Sequence, residues 1–296
     1  MALENIQQCP LCNQSVFALF LQCEDYLASH QQFELKKCIS CSFVFTNPRP
    51  DSQSLPAYYE SDQYVSHAGK SKGAINTLYI LARRFTIGWK ISLIRQFRKN
   101  ISILDYGCGT GELLQAGRLE GWQISGLEPS PNAREKATQI TGINIASDIE
   151  QFKGQQFDVI TLWHVLEHVI DLRKKIAELK ALLKNDGLLF IAVPNCESDD
   201  ATVYREYWAG YDVPRHLWHF TKRTMTALLA SEGLTVQSIK PMKLDAYYVS
   251  LLSEKYKAPN RITTALFFQG VIRGFISNYR ARSTVNHSSL IYIVAK

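Results

Sequence analysis

The sequence predicts an α/β protein in which helices cover both faces of a parallel sheet, preceded by a small cysteine-rich module. Three observations carry this expectation. From Ile101 onward, short apolar runs alternate with segments of helical periodicity. A strand ending in Asp105 runs into Gly107-x-Gly109-x-Gly111, and a helix opens at Glu112. Ahead of both stand two Cys-x-x-Cys pairs, Cys9/Cys12 and Cys38/Cys41.

Length and composition set the frame. At 296 residues and 46% apolar, the chain can hold one full α/β domain with smaller additions. It has no run of about 18 uncharged apolar residues, the length of a membrane span. Met1–Gln8 lacks the basic start and apolar core of a secretory signal, so a cytoplasmic protein is expected. In that compartment paired cysteines favour metal or redox chemistry over disulfides. The net charge of +6 is unevenly spread: Asp62 to Asp105 holds eight basic residues and no acid between, and no acid follows Glu254. Such asymmetry suits an anionic partner, whether phosphorylated substrate, nucleic acid or the inner face of a membrane, although solvated helix faces explain it equally.

In chain order, residues 1–45 read as the cysteine module and 46–100 as a linker and helical lid. Thr46–Pro56 carries three prolines, and Ala74–Arg98 has apolar positions at helical spacing. Residues 101–296 form the α/β domain. Ile101–Asp105, Gln123–Glu128, Ile143–Ala146, Phe157–Trp163 and Leu188–Val193 read as strands. Glu112–Leu119, Pro131–Thr141 and Asp171–Leu183 read as the intervening helices, the last closed by Asn185-Asp186-Gly187. Thr224–Ser231 is a further helix, and Leu234–Ile239 and Leu290–Val294 are the last strands, separated by a helical insert at about 241–288.

The glycine run lets backbone approach a ligand where side chains would block it. It is not the dinucleotide fingerprint, whose third glycine would fall at Glu112, and it lacks the Gly-Lys-Ser/Thr of a phosphate loop. Glu128 closes the second strand, where a carboxylate can take both ribose hydroxyls. Asp148 follows the third, where one can take an adenine amino group. Ile103–Gly111, Gly126–Ser130, Ser147–Ile149, Phe157–Ile160, His164–Val169 and Gly187–Asn195 together resemble the class I S-adenosylmethionine-dependent methyltransferases. The resemblance covers roughly residues 100–240 and the final strand. It implies a Rossmann-like seven-stranded sheet whose last strand is antiparallel, with S-adenosyl-L-methionine as cofactor. Asp105, Gly107, Gly109 and Gly111 would hold the methionine end, Glu128 the ribose and Asp148 the adenine.

Two further segments bear on the acceptor. His164, Glu167 and His168 follow the fourth strand at the carboxyl edge of the sheet, where such folds place their chemistry. His164 is a candidate for cofactor contact and for catalysis, whereas Glu167 and His168 are also placed to cap the next helix. Trp208–Thr221 is dense in aromatic and basic groups, and its Pro214-Arg215-His216-x-x-His219-Phe220 resembles a segment of methyltransferases associated with polysaccharide or lipid-linked biosynthesis. His216 or His219 can serve as base toward a hydroxyl, or the two can be a structural pair, and Arg215 can clamp an acidic acceptor. Tyr58, Tyr59, Tyr64 and His67 are candidates for a lid over the sulfonium. Cys9, Cys12, Cys38 and Cys41 match a closed, structural tetrahedral zinc site. Within the insert, Arg261–Ser277 suits a helix packed on the acceptor side or one lying on an anionic membrane. The expected activity is methylation at oxygen or carbon of a small-molecule or sugar/lipid-linked acceptor. The alternatives are an RNA methyltransferase gripping nucleic acid with its zinc module and basic helix, and a non-catalytic cofactor-binding scaffold.

Overall fold

The computed structural model describes residues 2–59, 74–99 and 101–296, with the side chains of all of these except 74–84. Tyr64 and His67 of the expected lid lie outside the described residues.

The main sheet is built from β6 (Ser102–Tyr106), β7 (Gln123–Leu127), β8 (Phe157–Trp163), β9 (Leu183–Pro194), β11 (Thr235–Pro241) and β12 (Ser289–Ala295). Their spatial order is β11-β12-β9-β8-β6-β7. β6 to β9 run parallel, and β12 runs antiparallel to both of its neighbours. Among the described residues the sheet therefore has six strands where seven were expected. The third strand of the expectation shrinks to a single parallel bridge, Leu127 to Ala146, because the chain turns away at once into the Asp148-capped turn Ile149–Phe152. Asn185-Asp186-Gly187 also departs from expectation: it lies within β9, which starts at Leu183. The buried faces of these strands read as continuous apolar runs, Leu188–Val193 and Leu290–Val294, as a sheet covered on both sides requires.

The covering helices are α1 (Ala74–Phe97), α2 (Glu112–Leu119), α3 (Pro131–Thr141), α4 (Leu172–Ala181), α5 (Asp199–Tyr204) and α6 (Lys222–Ser231). The insert adds α7 (Asp245–Lys257) and α8 (Thr263–Thr284). Their start signals are local: Asp171 accepts from Lys174 N at α4, and Thr221 and Thr224 form a capping box at α6. Glu167, expected as a cap for α4, is displaced from that role by Asp171.

At the front, β2 (Phe17–Glu24), β3 (Gln32–Cys38) and β4 (Val44–Thr46) form an antiparallel sheet that continues into β10 (Trp218–His219), in the order β10-β4-β3-β2. Trp218 pairs with Phe45 and His219 with Val44. The first part of the expected linker is largely buried: β5 (Arg49–Pro50) pairs with β1 (Leu3–Glu4), Asn47 exchanges hydrogen bonds with Ile6, and Arg49 reaches Glu4 at 2.7 Å while lying over the Trp218 ring. The aromatic core Phe43, Phe45, Trp218 and Phe220 is shared by the front sheet and the main body.

Candidate active site

The glycine loop joins β6 to α2. Gly107 and Cys108 both donate to Leu127 O, which ties the loop to the end of β7. At Gly107 a methyl group would strike Val165 at 2.6 Å, so the loop packs against the segment after β8. Gly109, at φ +55°, faces open space where any side chain would project, and its N–H donates to Glu128 Oε2 at 2.9 Å. Ser130 N donates to the other Glu128 oxygen. Gly111 stands at the N-terminus of α2. A Cβ at Gly109 would stand in open space, so the loop leaves room there for a ligand to approach its backbone.

Asp105 is buried at the end of β6, and Thr161 of β8 donates to its Oδ1 at 2.6 Å. Burial pushes its carboxyl up to about 6, against the pull of Thr161 and of Lys90 from α1. A buried carboxylate so placed gains from a ligand cation beside it. Lys90 Nζ itself lies 4.2 Å from the Trp163 ring centroid. Burial also raises Glu128, while its two backbone donors hold it down. Asp148 is exposed just beyond the Ala146 bridge, with one oxygen accepting from Glu150 N.

His164 follows β8 with φ +58° and is held by two carboxylates: Nδ1 lies 3.3 Å from Glu167 Oε1 and Nε2 lies 2.8 Å from Asp245 Oδ2. Burial alone would lower its pKa, but Asp245 and Glu167 outweigh it and push it up to about 10. In this arrangement His164 is a charged group anchored to the insert. Asp245, at the first turn of α7, is a site residue that sequence patterning missed, since nothing in an amphipathic insert marks one carboxylate as belonging to the sheet edge.

The acceptor segment docks on the same loop through Leu217 N to Glu167 O at 2.8 Å. His168 and His216 meet edge to face with ring centroids 4.5 Å apart. His216 Nδ1 lies 2.9 Å from Gly210 O, and His168 Nδ1 lies 3.1 Å from Arg215 O and 2.9 Å from Tyr59 Oη. Burial, with His216 alongside, pushes His168 down to about 4, so its ring is neutral. His219 sits apart from this pair. Thr46 Oγ1 donates to His216 O and so accepts from His219 Nε2, at 3.1 Å, and burial lowers the His219 pKa well below the usual range.

Arg215 does not face an acceptor. It is buried, with its fork engaged by Asp212 and by Asp25 Oδ1 at 2.9 Å, and it joins the turn after β2 to the acceptor segment. Tyr58, expected as lid, is buried against Phe33, whereas Tyr59 lies beside His168.

The four module cysteines gather at one point, with Cys9 Sγ to Cys41 Sγ and Cys12 Sγ to Cys38 Sγ each 3.5 Å. Tetrahedral Zn–S bonds of about 2.3 Å put sulfurs roughly 3.8 Å apart, so the thiols fit such an ion with little movement.

Comparison with known proteins agrees with this fold. Residues 83–239, more than half of the chain, match the family described as "Methyltransferase domain". The chain belongs to this family, as a class I S-adenosylmethionine-dependent methyltransferase by fold and by its loop signature. Among curated proteins it is similar to "Ubiquinone biosynthesis O-methyltransferase" of Methylobacterium nodulans, 32% identical over 153 residues, 46% of this chain and 60% of the relative. The protein of that name from Actinobacillus pleuropneumoniae serotype 7 is 38% identical over 107 residues, 31% of this chain and 45% of the relative. The chain thus spans about half the length of the curated relatives it matches. In fold it is similar to a chain of the complex between the Haloferax volcanii Trm112 methyltransferase activator and a methyltransferase, with TM-score 0.51 and 17% identity, covering 72% of this chain and 90% of that one.

Proposed function

We propose that the protein transfers the methyl group of S-adenosylmethionine to a hydroxyl of a small acceptor, sugar- or lipid-linked. The observation that carries this is the open space over Gly109, with the Glu128 carboxylate on its N–H and the buried Asp105 at the end of the strand that leads into the loop. Asp105 would hold the amino group of the methionine end, Glu128 the ribose hydroxyls and Asp148 the adenine. When bound, the cofactor supplies a methyl group already activated on sulfonium, so positioning and exclusion of water provide most of the rate. The names of the curated relatives favour oxygen over carbon as the methylated atom.

Of the three histidines expected to move a proton, His216 fits best. Its Nδ1–H is directed at Gly210 O, and its Nε2 makes no hydrogen bond among the described residues. It would take the acceptor hydroxyl proton there, while His219 is committed to Thr46 and His164 already carries its proton. Extracts incubated with isotopically labelled donor should yield a labelled product by mass spectrometry, and Asp105→Ala should abolish it. Equal labelling by that variant would refute the site.

The module is proposed to bind one zinc ion through Cys9, Cys12, Cys38 and Cys41, with a purely structural role because four thiolates leave no open position. A nucleic-acid acceptor is less well supported: Arg95, Arg98, Arg273 and Arg280 are paired with Glu120, Asp186 and Asp199 of this same chain. The insert instead favours an apolar surface. α8 packs Gly270 and Gly274 on α7 and bonds Ser277 to Asp200 of α5, and it turns Phe268, Ile272, Phe275 and Tyr279 outward, each more than half exposed. No helix among the described residues is long and apolar enough to cross a membrane. Peripheral contact with a bilayer carrying the acceptor fits this face. Cosedimentation with anionic vesicles should be lost on Phe268→Ser with Ile272→Ser, and retention by that variant would remove the idea.

A further inference from the structure

We propose that Glu167, His168 and His216 form a second metal site, for a divalent first-row transition ion, separate from the cysteine cluster. One ligand atom of each residue lies within 4.8 Å of those of the other two. Closing to the spacing of roughly 3.4 Å around a tetrahedral ion requires each donor to shift by less than about 1 Å.

Three features of the cluster are those of a ligand set. The first is the tautomer. Main-chain carbonyls can only accept, so Gly210 O, at 2.9 Å, fixes the proton of the His216 ring on Nδ1, while His168 Nδ1 lies between Arg215 O at 3.1 Å and Tyr59 Oη at 2.9 Å and carries its proton in the tautomer that serves Arg215 O. His216 Nε2 is left with its lone pair, as is His168 Nε2 in that tautomer. Histidines that bind metals are oriented in this way, by donating the other ring nitrogen to a carbonyl. The second is an orphaned oxygen. Glu167 is fully buried, and its Oε2 has no hydrogen-bond partner among the described residues, although Oε1 faces His164. Leaving such an oxygen unmatched is costly, and a cation relieves that cost. The third is chemical type. Two imidazoles and one carboxylate are the donor set of open transition-metal sites, which keep positions for an exogenous oxygen ligand. Asp212 Oδ2, 3.9 Å from His216 Nε2, supplies further negative charge nearby.

The site joins two segments that the fold brings together from far apart in sequence, the turn after β8 and the acceptor segment. This inference rests on the methyltransferase reading only for its consequence: with the ion bound, an acceptor hydroxyl on it would be acidified and release its proton to water, and the base role proposed above for His216 belongs to the metal-free protein.

The test uses the full chain, stripped of metal and titrated with Co2+. Elemental analysis should find two ions per chain. The thiolate-to-cobalt charge-transfer band should account for one of them, and the other should show only ligand-field absorption from nitrogen and oxygen donors. Glu167→Gln and, separately, His216→Gln should lose the second ion and keep the thiolate band, which also reports that each variant is folded. A single ion with thiolate absorption throughout, or a second ion that persists in both variants, would overturn the proposal. Calorimetry with S-adenosylhomocysteine on the same samples reads the cofactor pocket alone, so failure of the methyltransferase reading is seen separately.

Discussion

The cofactor half and the acceptor half of the site are assembled differently. The first draws Asp105, Gly107, Gly109, Gly111 and Glu128 from two successive strand ends, linked by the Gly107 N and Cys108 N bonds to Leu127 O. The second gathers Tyr59, His168, His216 and Asp245 from the linker, the turn after β8, the acceptor segment and the insert. A local half can fail without disturbing its surroundings. A half held together by docking transmits damage to the whole molecule, and substitutions should separate the two behaviours.

The largest effect is expected at the docking clamp. Arg215→Leu leaves the buried Asp25 and the half-buried Asp212 without their cation, and should cost roughly 3–5 kcal/mol in denaturant unfolding. A loss below about 1 kcal/mol would mean that the acceptor half is not held in this way. Next comes the local half: Asp105→Asn should weaken S-adenosylhomocysteine by about 10–100-fold, as loss of a charged hydrogen bond of about 1.5–3 kcal/mol predicts, with little change in melting temperature. The pH dependence sharpens the point. Only the carboxylate form attracts the ligand's ammonium group, and burial raises Asp105 to about 6. Affinity should therefore fall about tenfold per unit as pH drops below about 6, and the fall should vanish in Asp105→Asn. For folding the sign is opposite. A carboxyl raised on folding contributes less stability as pH climbs from about 4 to about 6. Gly274→Leu, driven into the Tyr247 backbone, should cost about 1–3 kcal/mol by overpacking α7 on α8 and leave cofactor affinity intact. Smallest, Thr161→Val removes one 2.6 Å hydrogen bond, about 1 kcal/mol, and should move the midpoint of that pH dependence upward.

The same contrast governs how much was legible in the sequence. Asp105, the glycines and Glu128 are separated by fixed lengths of strand and helix, so their spacing is their geometry. The cysteine pairs are legible for the same reason, since β3 and its turns bring Cys38 and Cys41 back to Cys9 and Cys12. The third strand was overread because Ile143–Ala146 has strand-like residues but only one bridging partner. Arg215 was misread as facing an acceptor, since sequence shows a guanidinium but not that Asp25 lies beneath it. Asp245 and the orphaned oxygen of Glu167 were invisible, because each is defined by a partner, or a missing one, far away along the chain.

The pairing of β4 with β10 has a consequence for biosynthesis. A nascent chain that has been released as far as residue 50 still lacks the outermost strand of its front sheet, and Asp25 has no counter-ion until Arg215 emerges. The front of the protein must therefore idle, half-zipped, while most of the main sheet is translated, and chaperones would meet it in that state.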